Sequence, residues 1–230
     1  MRLKKDEKIE SPFFGNYYCL IPNTDFAFIV ISKNACTFLK KVAIYNKEHL
    51  WVPDIPNVWE AHRIIGCNPE QSDYLFTIEQ LKELESEQNR KIHKFAVWRD
   101  PIDRIVSTYK LFVLEREYRW YFSILNFYED DSFDRFMEFV EFELRKSDPL
   151  HIDEHIRKQV EYYNCQEIDD VIHLKDLYDY LESKKIPFIK EASNKTDVNF
   201  NISKVEHVNR IKALYEKDYG IKITGQPFFV

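Results

Sequence analysis

Apolar runs with the length of β-strands alternate with amphipathic segments in the first part of the chain. Residues 17–21 and 26–31 are rich in β-branched and aromatic residues, and 22–25 between them is Pro-Asn-Thr-Asp, which is typical of a turn. This pattern predicts a hairpin or two successive strands. From Thr37 onward apolar residues recur at helical spacing, so we expect a helix directly after the second strand.

A second strand–helix unit is predicted near the middle of the sequence. Residues 94–98 are typical of a buried strand, and they run directly into Asp100 and Pro101. Asp100 suits the N-cap of a helix, and Pro101 suits the first helical position. We therefore expect a helix to begin immediately after the end of this strand.

The remaining pattern completes the prediction of an alternating fold. Thr77 with Gln80 forms a capping box before a charged helix, and Ser132 precedes a further amphipathic helix. Residues 170–174 predict a third central strand, and helices are expected around 205–219. Strands that alternate with helices predict an α/β fold with a mainly parallel sheet flanked by helices, in which ligands bind at the carboxyl ends of the strands.

The composition fits a folded protein without a large basic surface. Of the 230 residues, 44% are hydrophobic and 31% are charged, so we expect one domain over residues 1–230. The net charge of −6 argues against a nucleic-acid partner, because that binding relies on many Lys and Arg contacts to phosphate.

Neither a membrane span nor a metal site is expected. No apolar run approaches the ~20 residues of a transmembrane helix. The four cysteines lack C-x-x-C spacing, so neither a zinc site nor a disulfide framework is predicted, and reduced thiols favour a cytoplasmic location.

The first candidate site is the loop at residues 31–37, between a predicted strand and a predicted helix. The free amides and positive dipole end of a helix start attract an anion, and Lys33 adds a positive charge. The loop is not the G-x-x-x-x-G-K-[ST] nucleotide loop, because both glycines are missing. A generic ATPase is therefore disfavoured.

The second candidate site spans residues 97–109. Arg99 follows the strand end and Ser107 lies two turns into the helix, so a guanidinium and a hydroxyl together can hold a second phosphate. Arg104, on the same helix, fits either a structural partner of an acidic side chain or a ligand contact. Two separate anion sites suit a nucleotide with two phosphate groups.

Four segments, in order along the chain, carry a family resemblance. Residues 31–41 are similar to V-P-K-x-A-C-T-x-x-K-R, with Ser32 in place of proline, and 99–109 match R-D-P-x-x-R-x-x-S-x-Y completely. Residues 153–159 resemble D-E-H-W-R-P-Q and 214–219 resemble L-Y-x-x-D-Y. The chain thus resembles the carbohydrate sulfotransferases that use 3′-phosphoadenosine-5′-phosphosulfate (PAPS), in the group that includes the chondroitin and dermatan sulfotransferases and their bacterial relatives.

The resemblance implies a P-loop-like three-layer fold and PAPS as the sulfuryl donor, with adenosine 3′,5′-bisphosphate as the product. It implies that the first loop binds the 5′-phosphosulfate and the second motif binds the 3′-phosphate. The residues implied are Lys33, Asn34, Ala35, Cys36 and Thr37 for the former, and Arg99 and Ser107 for the latter.

The chemistry requires a cation at the leaving oxygen and a base at the acceptor hydroxyl. Lys33 is expected to stabilise the charge that develops on the leaving oxygen. His62 is the leading candidate for the general base, with His155 as a rival and as a substrate contact, and Glu60 as a third possibility. Lys40, like the neighbouring Lys41, is interpreted as the solvated face of the first helix, with the nucleotide cleft as the alternative.

The acceptor is inferred from the resemblance alone, as a hydroxyl of a carbohydrate or glycolipid in polysaccharide biosynthesis. Many animal relatives are Golgi proteins with an N-terminal membrane helix, and this sequence shows none, so we expect a bacterial, cytoplasmic enzyme. A nucleotide-dependent phosphotransferase and a non-catalytic glycan-binding relative remain alternatives. The pattern predicts no oligomeric state.

Overall fold

The computed structural model describes residues 17–52, 60–66, 69–115, 132–163, 167–190 and 200–224. Its strands form one five-stranded sheet in the order β3-β1-β2-β4-β5. They are β1 (Tyr18–Ile21), β2 (Phe26–Ile29), β3 (Leu75–Phe76), β4 (His93–Trp98) and β5 (Asp170–His173). The strands expected at residues 17–21, 26–31, 94–98 and 170–174 are all confirmed.

The sheet is mixed, with a parallel core. β1 and β2 form the predicted hairpin, and β3 adds a short antiparallel edge beside β1. β2, β4 and β5 are parallel, so that Phe28 lies beside Phe95 and Trp98 lies beside His173. The carboxyl ends of β2 and β4 therefore lie next to each other at one edge of the sheet.

Helices follow the strands as the sequence predicts, and three of them begin at the expected caps Thr77, Asp100 and Ser132. They are α1 (Cys36–Glu48), α2 (Glu60–Ile65), α3 (Ile78–Glu87), α4 (Pro101–Tyr109), α5 (Phe133–Leu144), α6 (Gln159–Tyr163), α7 (Leu177–Ser183), α8 (Val205–Leu214) and α9 (Glu216–Tyr219). The Thr77 capping box is present, and Ser132 accepts a hydrogen bond from the Arg135 amide at the start of α5. Within the described ranges, none of the helices is both long and apolar enough to cross a membrane.

Alternating side chains of the strands pack on opposite faces of the sheet. Cys19 and Ile21 of β1 contribute to a core with α1 and α7, whereas Tyr18 and Leu20 contribute to a core that includes Leu81 of α3. This period of two is expected for a sheet covered on both faces. The α/β fold with flanking helices is thus confirmed.

A third apolar cluster joins α4 to helices from the second half of the chain. Ile105 of α4 packs with Phe136 of α5 and Ile211 of α8, and all three are buried. Ile156, which stands where the resembling motif has Trp, is also fully buried in this cluster. The cluster fixes the position of α4, which carries Arg104 and Ser107.

Candidate functional site

The first loop forms a left-handed turn between β2 and α1. Lys33 and Ala35 have positive φ angles of 67° and 60°, whereas Asn34 between them does not. Alternation of this kind turns successive amides toward a common concavity that suits an anion. Ala35 is the N-cap of α1, and no side chain in the described part of the molecule caps the helix. The first amides of α1 are thus available to a ligand.

Lys33 is a partly buried cation within this turn. Burial, together with the nearby charges of Arg99 and Arg104, lowers its pKa to about 8, whereas Cys36 and Glu115 oppose the shift. Lys33 forms no ion pair with any carboxylate of the described residues. An ammonium in such a position is stabilised by a bound anion.

Arg99 connects the end of β4 to the first loop. Its Nη1 donates a hydrogen bond of 2.9 Å to the Lys33 carbonyl oxygen, and its Nε is buried without a hydrogen-bond partner among the described residues. Burial also lowers the pKa of this guanidinium. Arg99 therefore keeps a buried donor beside the turn that contains Lys33.

The start of α4 follows the sequence prediction closely. The Asp100 carboxylate accepts a hydrogen bond of 2.7 Å from the Ile102 amide, and Pro101 begins the helix. Ser107 lies on α4 and is partly buried. The second motif therefore has the predicted strand–loop–helix arrangement, with the start of α4 capped by Asp100.

Arg104 has a structural contact of a kind that the sequence did not indicate. Its fully buried guanidinium donates hydrogen bonds to the backbone oxygens of Ser32, Arg157 and Glu154, at 2.7 to 3.2 Å. These three partners are carbonyl groups, whereas an acidic side chain was one of the two alternatives expected from the sequence. Arg104 thus connects α4 to the first loop by a hydrogen bond and places a buried positive charge next to that loop.

The Asn34 side chain points away from the concavity of the loop. Its Nδ2 donates to the Val97 carbonyl oxygen and to Gln159 Oε1, both at 2.6 Å. Asn34 can therefore contribute to an anion site through its backbone, while its side chain fixes the loop against β4 and α6.

His62, on α2, lies against the first turn of α1. Its Nε2 is 3.0 Å from Thr37 Oγ1, and its Nδ1 is 3.1 Å from Lys40 Nζ. A lysine ammonium only donates, so Nδ1 is the acceptor and the neutral ring carries its proton on Nε2. Burial, together with the charges of Lys40, His155 and Lys33, lowers the pKa of His62 to about 3.

The interpretation of Lys40 and Lys41 as a solvated helix face is wrong. Lys40 is 6% exposed and Lys41 is fully buried. The reason is that α1 is covered on almost all sides, with every residue from 37 to 44 buried. Lys40 contacts His62, and Lys41 lies 5.9 Å from the centre of the Trp51 ring.

His155 lies near His62 and is held by an aspartate. His155 Nδ1 is 3.0 Å from Asp153 Oδ1, and its Nε2 is 3.9 Å from Glu154 Oε1. Burial raises the pKa of Glu154, while His155, Lys40 and a hydrogen bond from Ser32 oppose that shift. The third candidate base, Glu60, instead pairs with the exposed Arg63 at 2.5 Å.

Three residues at this edge of the sheet were not identified from the sequence. Glu154 and Gln159 lie in the segment that resembles D-E-H-W-R-P-Q, and Asp218 lies in the L-Y-x-x-D-Y segment. All three are within the two later resembling segments, which is the signal that points to them. The contacts of these residues with the two loops could not be predicted, because the segments lie far apart in the sequence.

A family model described as the sulfotransferase family matches residues 17–221. Comparisons with curated proteins and with solved structures gave no significant match. The matched region contains both loops, α2 with His62, and the segments that carry Gln159 and Asp218. Because the match covers most of the 230 residues, the chain belongs to the sulfotransferase family.

Proposed function

We propose that the protein transfers a sulfuryl group from PAPS to a hydroxyl of a carbohydrate or glycolipid. The observation that carries this proposal is the pairing of two cationic loops at adjacent parallel strand ends, joined by the 2.9 Å hydrogen bond from Arg99 to the Lys33 carbonyl. The first loop leads into an uncapped helix start, and the second supplies the Arg99 guanidinium and the Ser107 hydroxyl, so each suits one phosphate group. A nucleotide with a phosphate at both the 3′ and 5′ positions matches this pair of sites.

The proposed donor site uses the two loops for opposite ends of the nucleotide. The amides of Cys36 and Thr37 at the start of α1, with Lys33, bind the 5′-phosphosulfate. Arg99, which keeps its buried Nε for a ligand, and Ser107 bind the 3′-phosphate. Charge-assisted hydrogen bonds of this kind are stronger than neutral ones.

The transfer is an in-line displacement at sulfur. The acceptor oxygen forms a bond to sulfur while the bond from sulfur to the 5′-phosphate oxygen breaks, and the electron pair leaves on that oxygen. Lys33 stabilises the charge that develops there, because an ammonium in a partly buried site acts more strongly than one in water. The proton of the acceptor hydroxyl passes to His62.

Nδ1 is the nitrogen of His62 that can take the proton, because Nε2 already carries the ring proton, and it becomes free when Lys40 turns its hydrogen bond to the bound donor. Lys40 donates to this atom and contributes to the low pKa of His62. The anionic donor gives this ammonium a different partner and raises the pKa of His62, because opposite charge favours the protonated ring. The base is therefore activated by binding of the donor, and His155 contacts the acceptor.

A transfer assay tests this proposal and its alternatives. The protein is incubated with PAPS that carries radioactive sulfur, together with glycan and glycolipid extracts, with and without EDTA. We expect label to enter the extract equally in both samples and to do so far less with Lys33→Ala. Transfer of phosphate from ATP that requires Mg²⁺ would instead indicate a phosphotransferase, and glycan retention without transfer would indicate a binding protein.

A further inference from the structure

Gln159 connects the two loops through both atoms of its side-chain amide. Its Oε1 accepts a hydrogen bond of 2.6 Å from Asn34 Nδ2 in the first loop and one of 3.0 Å from the Arg99 amide in the second. Its Nε2 returns a hydrogen bond of 2.9 Å to the Arg99 carbonyl oxygen. Gln159 is fully buried, so these bonds form away from solvent.

Asp218 holds this amide in place. Its Oδ2 accepts from the Gln159 amide at 3.0 Å and from Gln159 Nε2 at 3.4 Å, and its Oδ1 accepts from the Val160 amide at 3.0 Å. Asp218 is also fully buried, and its backbone oxygen accepts from the Trp98 indole at 3.0 Å. The carboxylate thus fixes the start of α6 and the rotamer of Gln159 together.

Every hydrogen-bonding position of the Gln159 amide is used. The oxygen has two acceptor sites, taken by Asn34 and Arg99, and the nitrogen has two hydrogens, taken by Arg99 and Asp218. No other natural side chain of this length offers two acceptors and two donors in one plane. The chemistry of the position therefore selects glutamine for a link, whereas an apolar residue would suffice for packing.

We propose that Gln159 is a positioning residue that sets the relative placement of the two anion sites, so that one nucleotide engages both at once. This inference rests on the proposed function, since it assumes that the two loops hold the two ends of one nucleotide. A ligand with a phosphate at each end gains from a fixed spacing, whereas a ligand with one phosphate does not. Gln159 is accordingly expected to affect the preference for the doubly phosphorylated ligand.

The test compares two nucleotides on the wild type and on Gln159 variants by calorimetry. The quantity measured is the Kd of adenosine 5′-phosphate divided by the Kd of adenosine 3′,5′-bisphosphate. We expect Gln159→Met to reduce this ratio about tenfold, because a lost buried hydrogen-bonded link has about that effect. The Kd of the monophosphate should change little, which separates a loss of placement from a general loss of folding.

A second variant covers the case in which Gln159→Met does not fold. Gln159→Glu keeps the shape and the acceptor atoms, but it removes the donor to the Arg99 carbonyl and sets a second carboxylate against Asp218. The ratio should fall at neutral pH and recover in part at lower pH, since one shared proton restores the donor. If Gln159 served stability alone, low pH would restore the stability of the variant, but the ratio would match that of the wild type at both pH values.

Asn46→Ala is the matched control. Asn46 is also a buried amide, and it donates to the Val42 and Pro187 carbonyl oxygens at 2.8 Å each, at the far end of α1. Asn46→Ala should lower the free energy of unfolding and leave the ratio of the two Kd values unchanged. An unchanged ratio in the folded Gln159 variants would overturn the inference alone, whereas a wild type that does not bind the bisphosphate would overturn the proposed function as well.

Discussion

Lys33 combines a positive charge, partial burial and a left-handed backbone in a single residue. Burial lowers its pKa from 10.5 to about 8, so the neutral amine already forms above about pH 8 in the free protein. The proposed role requires the ammonium, because only the charged form stabilises the leaving oxygen. The charge of Lys33 in the free protein is therefore sensitive to pH near 8.

The first prediction concerns the pH profile of the reaction. In the wild type, kcat/KM should fall as pH rises through about 8, since this parameter reports the free enzyme and Lys33 loses its proton there. Lys33→Arg should retain activity at high pH, because guanidinium stays protonated. Identical profiles for the two proteins above pH 8 would contradict the assignment.

His62 supplies the second prediction at the residue scale. Burial is the main cause of the low pKa of the ring, and Lys40→Met removes the second cause, the ammonium that donates to Nδ1, so the pKa should rise above about 3 while it stays below its ordinary value of 6.5. An NMR titration of the imidazole measures this change directly. The variant should then lose activity at acidic pH, where the wild-type ring is still neutral. A ring that titrates as in the wild type would show that Lys40 does not control it.

The sequence predicts the residue types of the site better than their partners. Lys33 and Arg99 were identified because charged residues at strand ends and helix starts have recognisable local patterns, whereas His62 was identified through the family resemblance, from its place between the two motifs. The pairing of His62 with Lys40 depends on how α2 packs on α1, and no local pattern gives that packing. Helical periodicity places Lys40 on the polar side, and tertiary burial overrides it.

At the scale of elements, the site depends on helices that begin directly after strands. Caps determined where these helices start, and Thr77, Asp100 and Ser132 all act as the sequence predicts. The left-handed turn at Lys33 and Ala35 could not be predicted, because neither residue is a glycine and positive φ is uncommon for other residues. Its conformation is imposed by contacts of the loop with Arg99, Arg104 and Gln159.

Two cap variants separate stability from function. Thr77→Ala and Asp100→Ala should each lower the free energy of unfolding by about 1 kcal/mol, measured by urea denaturation, because each removes one N-cap hydrogen bond. Only Asp100→Ala should also weaken nucleotide binding, since α4 carries Ser107 and begins beside Arg99. Equal nucleotide affinity in the two variants would argue against a binding role for the start of α4.

At the scale of the whole molecule, distant segments meet at one edge of the sheet. Asn34, Arg99, Gln159 and Asp218 are joined by hydrogen bonds across separations of 59 to 125 residues. A single sequence shows the segments but not these contacts, because buried polar networks leave no periodic pattern. The two loops are thus held as one unit by the last third of the chain.

The most direct test of the central claim is whether the two loops bind opposite ends of one nucleotide. Adenosine 3′,5′-bisphosphate is titrated calorimetrically into the wild type, Lys33→Ala and Arg99→Ala, each checked for folding by circular dichroism. Each substitution should weaken binding by at least about tenfold, because it removes a charge-assisted contact to phosphate. Equal affinity in all three proteins would contradict the account.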